Sequence, residues 1–322
     1  MSQVHYQPTC DLAAMQARAK MYAQIRQFFA ERQVLEVETP ILSQAGVTDV
    51  HLASVQAKRH VQGKLATHYL QTSPEFAMKR LLASWQVPIY QICPVFRDNE
   101  VGSRHNIEFS MLEWYRPHFS LDDLAKETNE LISAVLGYPV IFDHYRYVDA
   151  FMDFVNVHPF DATCDTLKAI AQDCGFSVDL GDDHQGWLDL LFSHLVEPNL
   201  GKTLPTLIYD YPVATAALAK TVTDQDGNLV ARRFELYMGG LEIANAYDEL
   251  ADGQALRVRF EQDNLARQKR GLPRMPMDEH LLSACDKLPP CSGIALGLDR
   301  LLMVATAAKT IDAVIALPTV RA

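Results

Sequence analysis

The sequence predicts an α+β fold in which antiparallel strands lie side by side and helices flank them. Strand-like segments occur as neighbouring pairs, residues 89–96 with 109–115 and residues 233–237 with 241–250. The Gly239-Gly240 pair between the latter two is a strong hairpin signal. Helical segments separate these blocks of strands, which is typical of α+β folds and not of a doubly wound parallel sheet.

In chain order, the first elements are a helix, a strand and a second helix. Residues 11–32 carry apolar side chains at helical spacing, and residues 34–40 alternate as a strand that ends in proline. The Ser73-Pro74-Glu75 segment starts the second helix, with proline in its first turn. After the 89–115 strand pair, further elements are predicted as follows: a helix at 121–136, a strand at 206–212, a charged helix at 253–270, and a strand within 292–300 that passes into an apolar helix.

The signals weaken between residues 143 and 198 into short helical segments. We interpret this stretch as an insertion or lid, and we expect one catalytic domain over residues 1–322. The 48% hydrophobic content supports a substantial core.

Charge and cysteine content narrow the function classes. The net charge of −11 argues against a broad nucleic-acid footprint, which needs clustered Lys and Arg. The six cysteines include no CxxC pair, so reduced thiols are expected rather than a zinc site or a disulfide framework. Residues Met1 to Cys10 show no apolar signal-peptide region, and no run is long enough to span a bilayer. We therefore expect a soluble cytoplasmic protein.

The loop between the first strand pair concentrates charge. It contains Arg97, Glu100, Arg104, His105 and Glu108. Burying so many charges requires an anionic ligand, and an arginine fork suits phosphate or carboxylate. Phe109 offers a flat face for a nucleobase. The alternative is a solvated hairpin tip, which the local pattern alone favours.

The second strand pair carries Glu235 and Glu242, which we expect to face each other across the Gly-Gly turn. Carboxylates so placed suit a hard divalent cation such as Mg²⁺. The alternative is a pair of exposed strand carboxylates, although like charges placed opposite each other cost stability. Asn245, Tyr247 and Glu249 are predicted to alternate onto one face.

Two arginines, Arg97 and Arg300, together with the carboxylate pair and the Phe109 ring fit a nucleoside triphosphate with Mg²⁺. The remaining acids, Glu75, Glu113 and Glu249, suit a small substrate that carries ammonium groups.

These segments resemble the catalytic core of class II aminoacyl-tRNA synthetases of the lysyl type. Motif 1 resembles residues 28–40, motif 2 residues 96–109 and motif 3 residues 293–300. Lysine-type markers are Thr72-Ser73-Pro74-Glu75 and the segments 111–115 and 242–250. The match runs from about Met15 onward and is weakest between residues 143 and 186.

Lysyl-tRNA synthetases carry an N-terminal OB-fold anticodon domain. Because motif 1 starts almost at once here, we expect this chain to lack that domain. The resemblance is therefore to the truncated paralogues that ligate (R)-β-lysine to elongation factor P, as segments 113–118 and 197–202 also indicate. It implies ATP-dependent activation of (R)-β-lysine or lysine as an adenylate, transfer to a lysine of elongation factor P, and a homodimer. Neither tRNA nor a membrane is expected as a partner.

The resemblance also implies roles for individual residues. Arg97 and Arg300 are the expected catalytic residues. The expected ATP contacts are Arg97, Asp98, Asn99, Glu100, His105, Asn106, Phe109, Glu235, Leu236, Gly297 and Arg300. The expected substrate contacts are Ser73, Pro74, Glu75, Glu113, Tyr115, Glu242, Asn245, Tyr247, Glu249 and Ala295. Glu235 and Glu242 are the expected Mg²⁺ ligands.

Three positions depart from the family pattern. Asn99 stands where motif 2 usually has glutamate, with Glu100 one residue later, and Ile107 replaces a common proline. Ala295 replaces the middle glycine of motif 3, and its methyl group fits a substrate whose amino group lies one carbon farther on. Three alternatives remain: a stand-alone tRNA aminoacylating enzyme, a free amino-acid ligase of the asparagine synthetase type, and a catalytically dead amino-acid-binding regulator.

Overall fold

The structure, a computed structural model, describes residues 6–322. The first five residues, part of the Met1–Cys10 stretch in which no signal peptide is expected, lie outside the described residues. In the part of the chain that is described, no helix combines the length and the apolar character needed to cross a membrane.

The strands are numbered in chain order. They are β1 (Leu35–Glu36), β2 (Leu42–Ser43), β3 (Gln56–Val61), β4 (Lys64–Leu70), β5 (Ile89–Phe96), β6 (Glu108–Pro117), β7 (Asp143–Arg146), β8 (Thr206–Pro212), β9 (Thr221–Thr223), β10 (Leu229–Met238), β11 (Leu241–Asp248) and β12 (Cys291–Gly297). The α-helices are α1 (Leu12–Glu31), α2 (Glu75–Trp85), α3 (Leu121–Leu136), α4 (Tyr147–Val155), α5 (Cys164–Asp173), α6 (His184–Leu191), α7 (Gly253–Lys269), α8 (Glu279–Cys285) and α9 (Leu298–Thr306).

These elements form two compact units. One comprises the chain up to Pro139 together with Glu249–Ala322, and the other comprises Val140–Asp248. In the first unit the strands pair in the order β1-β5-β6-β12, and β2-β4-β3 form a separate small sheet. The β5–β6 and β6–β12 pairs are antiparallel, whereas the short β1 pairs with β5 in parallel.

Aromatic packing joins α1 to this sheet. Phe29 of α1 stacks on Tyr90 of β5 at 4.4 Å between ring centroids and meets the edge of Trp114 of β6. All three side chains are buried, so the apolar stripe predicted for α1 packs on the back of the strands. Local signals bound α3 as predicted, because Ser120 forms a capping box and Gly137 ends the helix with a φ of +79°.

The second unit has its own strands and core. Its strands pair in the order β11-β10-β8-β7, with β9 alongside β10. Trp187 and Phe151 are fully buried among the apolar side chains of α4, α5 and α6. The weakly matched stretch 143–198 contributes these helices, and its interpretation as an insertion in a single domain stays a prediction.

Two local predictions are corrected by the structure. The strand predicted over 34–40 is paired only at Leu35 and Glu36, because the chain leaves β5 before Pro40. Glu235 and Glu242 do not oppose each other: Glu235 lies opposite Asn245, and Glu242 lies opposite Tyr237.

Glu235 and Glu242 do not meet because of the register of the β10–β11 hairpin. Gly239 and Gly240, with φ of +62° and +72°, form the tight two-residue turn that places Met238 opposite Leu241. An irregularity between Leu236 and Tyr237 then shifts the pairing by one residue. The hairpin was therefore predicted correctly, but its register was not. The β3–β4 pair and α8 are elements that the sequence analysis does not predict.

Candidate active site

One face of the β5–β6–β12 sheet, which we name the substrate face, carries five of the predicted site residues of the first unit. The register places Gln91 and Ala295 opposite Glu113 on its two neighbouring strands. Opposed residues, and alternate residues along a strand, share a face. The shared face therefore carries Phe109, Met111, Glu113, Tyr115, Gly293, Ala295 and Gly297. Phe109 and Glu113 are four residues apart, about 13 Å along the strand, so this face presents an aromatic ring and a carboxyl group at separate ends.

At one end, the guanidinium of Arg97 lies beside the Phe109 ring, with 5.2 Å from Cζ to the ring centroid. Its Nη1 is 3.9 Å from Oε1 of Glu100, which is a loose ion pair. The Nε of Arg97 is buried without a hydrogen-bond partner among the described residues. A buried donor without an acceptor is costly, and a phosphate or carboxylate ligand would satisfy it.

Arg300 lies in the first turn of α9, directly after Gly297 ends β12. Its Nη2 donates to Nε2 of His105 at 2.7 Å. Burial and the positive charge of Arg300 lower the pKa of His105, so the imidazole is neutral and can accept this hydrogen bond. His105 therefore orients Arg300.

The loop between β5 and β6 is held by backbone contacts. The N–H of Asp98 donates to the carbonyl of Ala53 at 2.8 Å, and its Oδ1 accepts from the N–H of Asn99. Asn99 has a φ of +65°, a left-handed conformation that asparagine tolerates. The side chain of Asn106 donates to a carbonyl of β6 and accepts from the N–H of Thr319. Both polar atoms of that amide thus hold the loop, and its expected ATP contact stays a prediction.

At the other end of the face, Glu113 is fully buried. It accepts hydrogen bonds from the hydroxyls of Ser73 (2.6 Å) and Tyr115 (2.5 Å). Ser73 also accepts from the N–H of Glu75, just after Pro74 at the start of α2. Burial and the charge of Glu75 raise the pKa of Glu113 to about 8. A nearby cation would favour its ionised form.

Lys79 of α2 is buried next to two of the predicted acids. Its Nζ lies 2.7 Å from Oε1 of Glu75 and 2.5 Å from Oε2 of Glu249. Burial opposes the charge of Lys79, but Glu249 and Glu75 outweigh it and raise its pKa. Burial raises the pKa of Glu249 to about 8 in spite of Lys79. We name Glu75, Lys79, Glu113 and Glu249 the acid pocket. It holds three carboxyl groups for one ammonium group, which suits a cationic ligand.

Gly293 is required by the acid pocket. A Cβ at this position would lie 2.4 Å from Oε1 of Glu249 and 2.4 Å from Cε1 of Tyr115. Any larger residue would therefore displace the carboxyl group or the ring. Two residues farther along β12, Ala295 packs against a small apolar cluster of Cys93, Val95 and Met111, as does Phe109.

In the second unit, Glu235 is surrounded by donors. The hydroxyls of Tyr211 (2.6 Å) and Tyr237 (2.5 Å) donate to its Oε2, and Arg233 forms an ion pair with its Oε1. We name these four residues the arginine–tyrosine cluster. Nδ2 of Asn245 lies 3.5 Å from Oε1 of Glu235, whereas its Oδ1 is buried without a partner among the described residues.

Other predicted residues lie around this cluster. Burial opposes the charge of Arg233, but Glu235 and, more weakly, Glu242 raise its pKa. The Tyr247 ring lies 5.6 Å from the Arg233 guanidinium, and Leu236 is fully buried. Glu242 is thus close enough to share the electrostatics of the cluster, although it is not opposite Glu235.

Within residues 6–322, no group of three or more His, Cys, Asp or Glu side chains is arranged to hold a metal ion. Mg²⁺, however, binds through one or two carboxylates completed by water and substrate phosphates. The hard oxygen donors of Glu235 and Glu242 fit that requirement, provided that Glu235 shares its Oε1 between Arg233 and the ion.

The sequence analysis missed Lys79, Arg233, Tyr211 and Tyr237. A signal was present for three of them. Lys79 follows Glu75 by four residues on one helix, which places the pair on a common face. Arg233 precedes Glu235 by two residues and Tyr237 follows it by two on the same strand, so these side chains also share a face. Tyr211 comes from a separate strand, β8, and only the folded register brings it to Glu235.

The chain matches the family model described as tRNA synthetases class II (D, K and N) over residues 11–321. Because the match spans nearly the whole chain, the protein belongs to the class II tRNA synthetase family. This finding confirms the predicted α+β fold class and the predicted resemblance.

Two curated relatives are more specific. A protein of Mannheimia succiniciproducens is 44% identical over 314 residues, and one of Haemophilus influenzae is 45% identical over the same length. Each alignment covers 97% of this chain and 96% of the relative. Both relatives are named elongation factor P–(R)-β-lysine ligase.

Proposed function

We propose that this protein is an ATP-dependent ligase that activates (R)-β-lysine, or lysine, as an aminoacyl-adenylate. It then transfers the acyl group to a lysine side chain of elongation factor P. Membership of the class II family and the names of the two relatives support this assignment.

The observation that carries the proposal is the polarity of the substrate face. Arg97 and Phe109 suit a nucleotide at one end, whereas the acid pocket, about 13 Å away by strand geometry, suits the ammonium groups of a small substrate. A lysine-type adenylate has this layout, with adenine and a cationic side chain separated by the acyl phosphate. A substrate such as aspartate or asparagine has no distal ammonium group, so Lys79 would remain the single cation beside three buried acids.

In the first step, a carboxylate oxygen of the amino acid attacks the α-phosphorus of ATP and pyrophosphate leaves. The carboxylate is already ionised at neutral pH, so no base is required. Positive charge must instead offset the two anions as they approach. We assign this role to Arg97, with Arg300 at the terminal phosphates and Phe109 stacked on adenine.

Glu235 and Glu242 would hold Mg²⁺. The ion, when bound, neutralises charge on the phosphates of ATP. The tyrosines and Arg233 fix the rotamer of Glu235, so this carboxylate is held in place before ATP arrives.

The remaining expected contacts belong to the same proposal. Asp98, Asn99, Glu100, His105, Asn106, Leu236 and Gly297 would border the nucleotide. Glu75, with Ser73 and Pro74, would bind the amino group near the carboxylate. Asn245 would bind the carboxylate, and Glu113, Tyr115 and Glu249 the distal ammonium. Tyr247 and Glu242 would be further substrate contacts. The Ala295 methyl group favours an amino group on the β-carbon.

In the second step, the neutral ε-amine of the acceptor lysine attacks the acyl carbonyl and AMP leaves with the bonding electron pair. The new amide bond replaces the mixed anhydride, and the amine loses one proton. We further propose a homodimer formed through motif 1, a single catalytic domain, and action in the cytoplasm beside the translation factor.

The test is lysine-dependent ATP–pyrophosphate exchange, followed by the mass of elongation factor P. Exchange with α-lysine and (R)-β-lysine, and a mass increase of one lysyl residue on the factor, are the expected results. Arg97→Ala should slow exchange by about 10²–10³, as does loss of one preorganised donor. Normal exchange in that variant would refute the role of Arg97.

The same assay separates the alternatives. Charging of tRNA in place of the factor would identify an aminoacylating enzyme. Release of a free amide would identify a small-molecule ligase, and binding without exchange would identify a regulator.

A further inference from the structure

The β3–β4 hairpin has no part in the chemistry described above, yet it is attached to the edge of the candidate site. The N–H of Asp98, next to Arg97, donates to the carbonyl of Ala53, just before β3. The N–H of Phe96 donates to the carbonyl of Gln71, just after β4, at 2.9 Å. Both ends of the hairpin are therefore fixed to the segment that carries Arg97.

The outer part of the hairpin projects into solvent. The third strand, β2, pairs with β4 only at Tyr69 and Leu70, near the base. Beyond that point β3 and β4 form strand pairs only with each other. Leu65 near the tip is 62% exposed. A strand of this length places the tip about 15–20 Å from its base. Because side chains on both faces are exposed, the outer hairpin does not pack on the substrate face.

The charge of the hairpin is opposite to that of the protein. Residues 51–74 contain Lys58, Arg59 and Lys64 but no Asp or Glu, in a chain of net charge −11. All three cations are exposed, and none forms an ion pair with a carboxylate among residues 6–322. Other exposed arginines of the chain, such as Arg26 with Glu36, do have such partners.

We propose that the β3–β4 hairpin is the docking surface for an acidic face of the protein acceptor. The inference rests on the proposed function and adds to it the partner's chemistry: carboxylates spread over about 7–20 Å from the lysine that receives the acyl group. Lys58, Arg59 and Lys64 attract that face and orient the acceptor amine toward the adenylate at Arg97. RNA is disfavoured as the occupant, because nucleic-acid binders neutralise about 6–10 phosphates and this protein is strongly acidic.

The test is the charge-reversal variant Lys58→Glu/Arg59→Glu/Lys64→Glu. Lysine-dependent pyrophosphate exchange should stay within about twofold of wild type, since the outer hairpin touches neither small substrate. Transfer to elongation factor P should lose about 10- to 100-fold in kcat/KM, mainly through KM, and the loss should shrink in high salt. The control Lys126→Glu/Lys287→Glu/Lys309→Glu makes the same change in net charge at other exposed lysines and should retain normal transfer.

Several results would contradict the docking surface. Normal transfer by the hairpin variant, an equal loss in the control, or a loss of exchange as well would overturn the docking surface and leave the proposed function standing. A defect in RNA binding without a defect in protein transfer would also overturn it. Wild-type enzyme that activates lysine but never modifies the factor would overturn the proposed function itself, and the docking surface with it.

Discussion

The acid pocket of the first unit and the arginine–tyrosine cluster of the second unit both bury carboxyl groups, but they neutralise them differently. In the arginine–tyrosine cluster, Arg233 and two tyrosine hydroxyls meet the oxygens of Glu235. In the acid pocket, Lys79 is the single ammonium group for Glu75, Glu113 and Glu249. Burial therefore raises the pKa of both Glu113 and Glu249 to about 8.

The difference indicates what each region is for. A carboxylate with a full set of donors is already in its working position and needs no ligand to stabilise it. An excess of buried acid groups is unfavourable until a cation binds. The acid pocket therefore lowers the stability of the first unit and raises its affinity for an ammonium ligand.

The largest expected effect comes from removing the cation of the acid pocket. Lys79→Met should lower the free energy of unfolding by about 3–5 kcal/mol, because it leaves the facing carboxyl groups without a partner. Thermal unfolding measures the loss. Adding Glu249→Gln should restore part of it, and the exposed Lys126→Met serves as the control. A Lys79 variant as stable as wild type would mean that the pocket is not short of positive charge.

Glu113→Gln is expected to affect binding more than stability. It removes a charged acceptor for the distal ammonium, which is worth about 2–3 kcal/mol, or about 30- to 150-fold in the KM for lysine. The KM for ATP should change little, since Phe109 and Arg97 lie at the other end of the face.

The matched control for this variant is Glu127→Gln. Glu127 is also buried, and it accepts from Nε1 of Trp114 at 3.1 Å, but it lies on α3 outside the acid pocket. This control should lose stability without a change in the KM for lysine. Equal KM values for Glu113→Gln and wild type would remove Glu113 from the substrate site.

Much of the substrate face was predictable from local pattern. Strand alternation places Phe109, Glu113 and Tyr115 on one side, and hairpin register then aligns Gly293 and Ala295 with them. The amphipathic pattern of residues 121–136 predicted helix α3 with its observed bounds, and the caps at Ser120 and Gly137 end the helix where that pattern ends.

The two wrong or missing parts have different causes. Lys79 has the pattern of an ordinary partner for Glu75 on a helix surface, and its burial depends on Glu249, which is far away in the chain. The opposition of Glu235 and Glu242 is excluded by the hairpin itself, because a two-residue turn that pairs Met238 with Leu241 also pairs Tyr237 with Glu242. The one-residue irregularity only moves the partner of Glu235 from Ala244 to Asn245. Tertiary packing therefore decided the first case, whereas the second was a misread local register.

The pH dependence of lysine affinity is a further test of the difference between the acid pocket and the arginine–tyrosine cluster. Because the pKa of Glu113 and of Glu249 is raised to about 8, the pocket holds an extra proton at lower pH. That proton must leave when an ammonium group binds. Affinity should therefore rise by up to about tenfold per unit between pH 6 and 8, then level off.

Calorimetric titration of lysine across this range measures the slope. Tyr115 and Cys285 also face the acid pocket, but burial raises the pKa of both, so they stay protonated over this range and do not produce the same change. Glu113→Gln should flatten the profile. A profile that falls as the pH rises would contradict the assignment.

The smallest expected effect tests the arginine–tyrosine cluster. Tyr237→Phe deletes one hydroxyl that donates to Glu235 and should lower the free energy of unfolding by about 1 kcal/mol. The same unit offers a matched control, because the hydroxyl of Tyr147 is buried with no hydrogen-bond partner in residues 6–322. Tyr147→Phe removes an unsatisfied polar group and should be neutral or slightly stabilising. If chemical denaturation gives both variants the same stability, the tyrosine hydroxyls do not hold Glu235, and the contrast between a completed cluster and an incomplete pocket is lost.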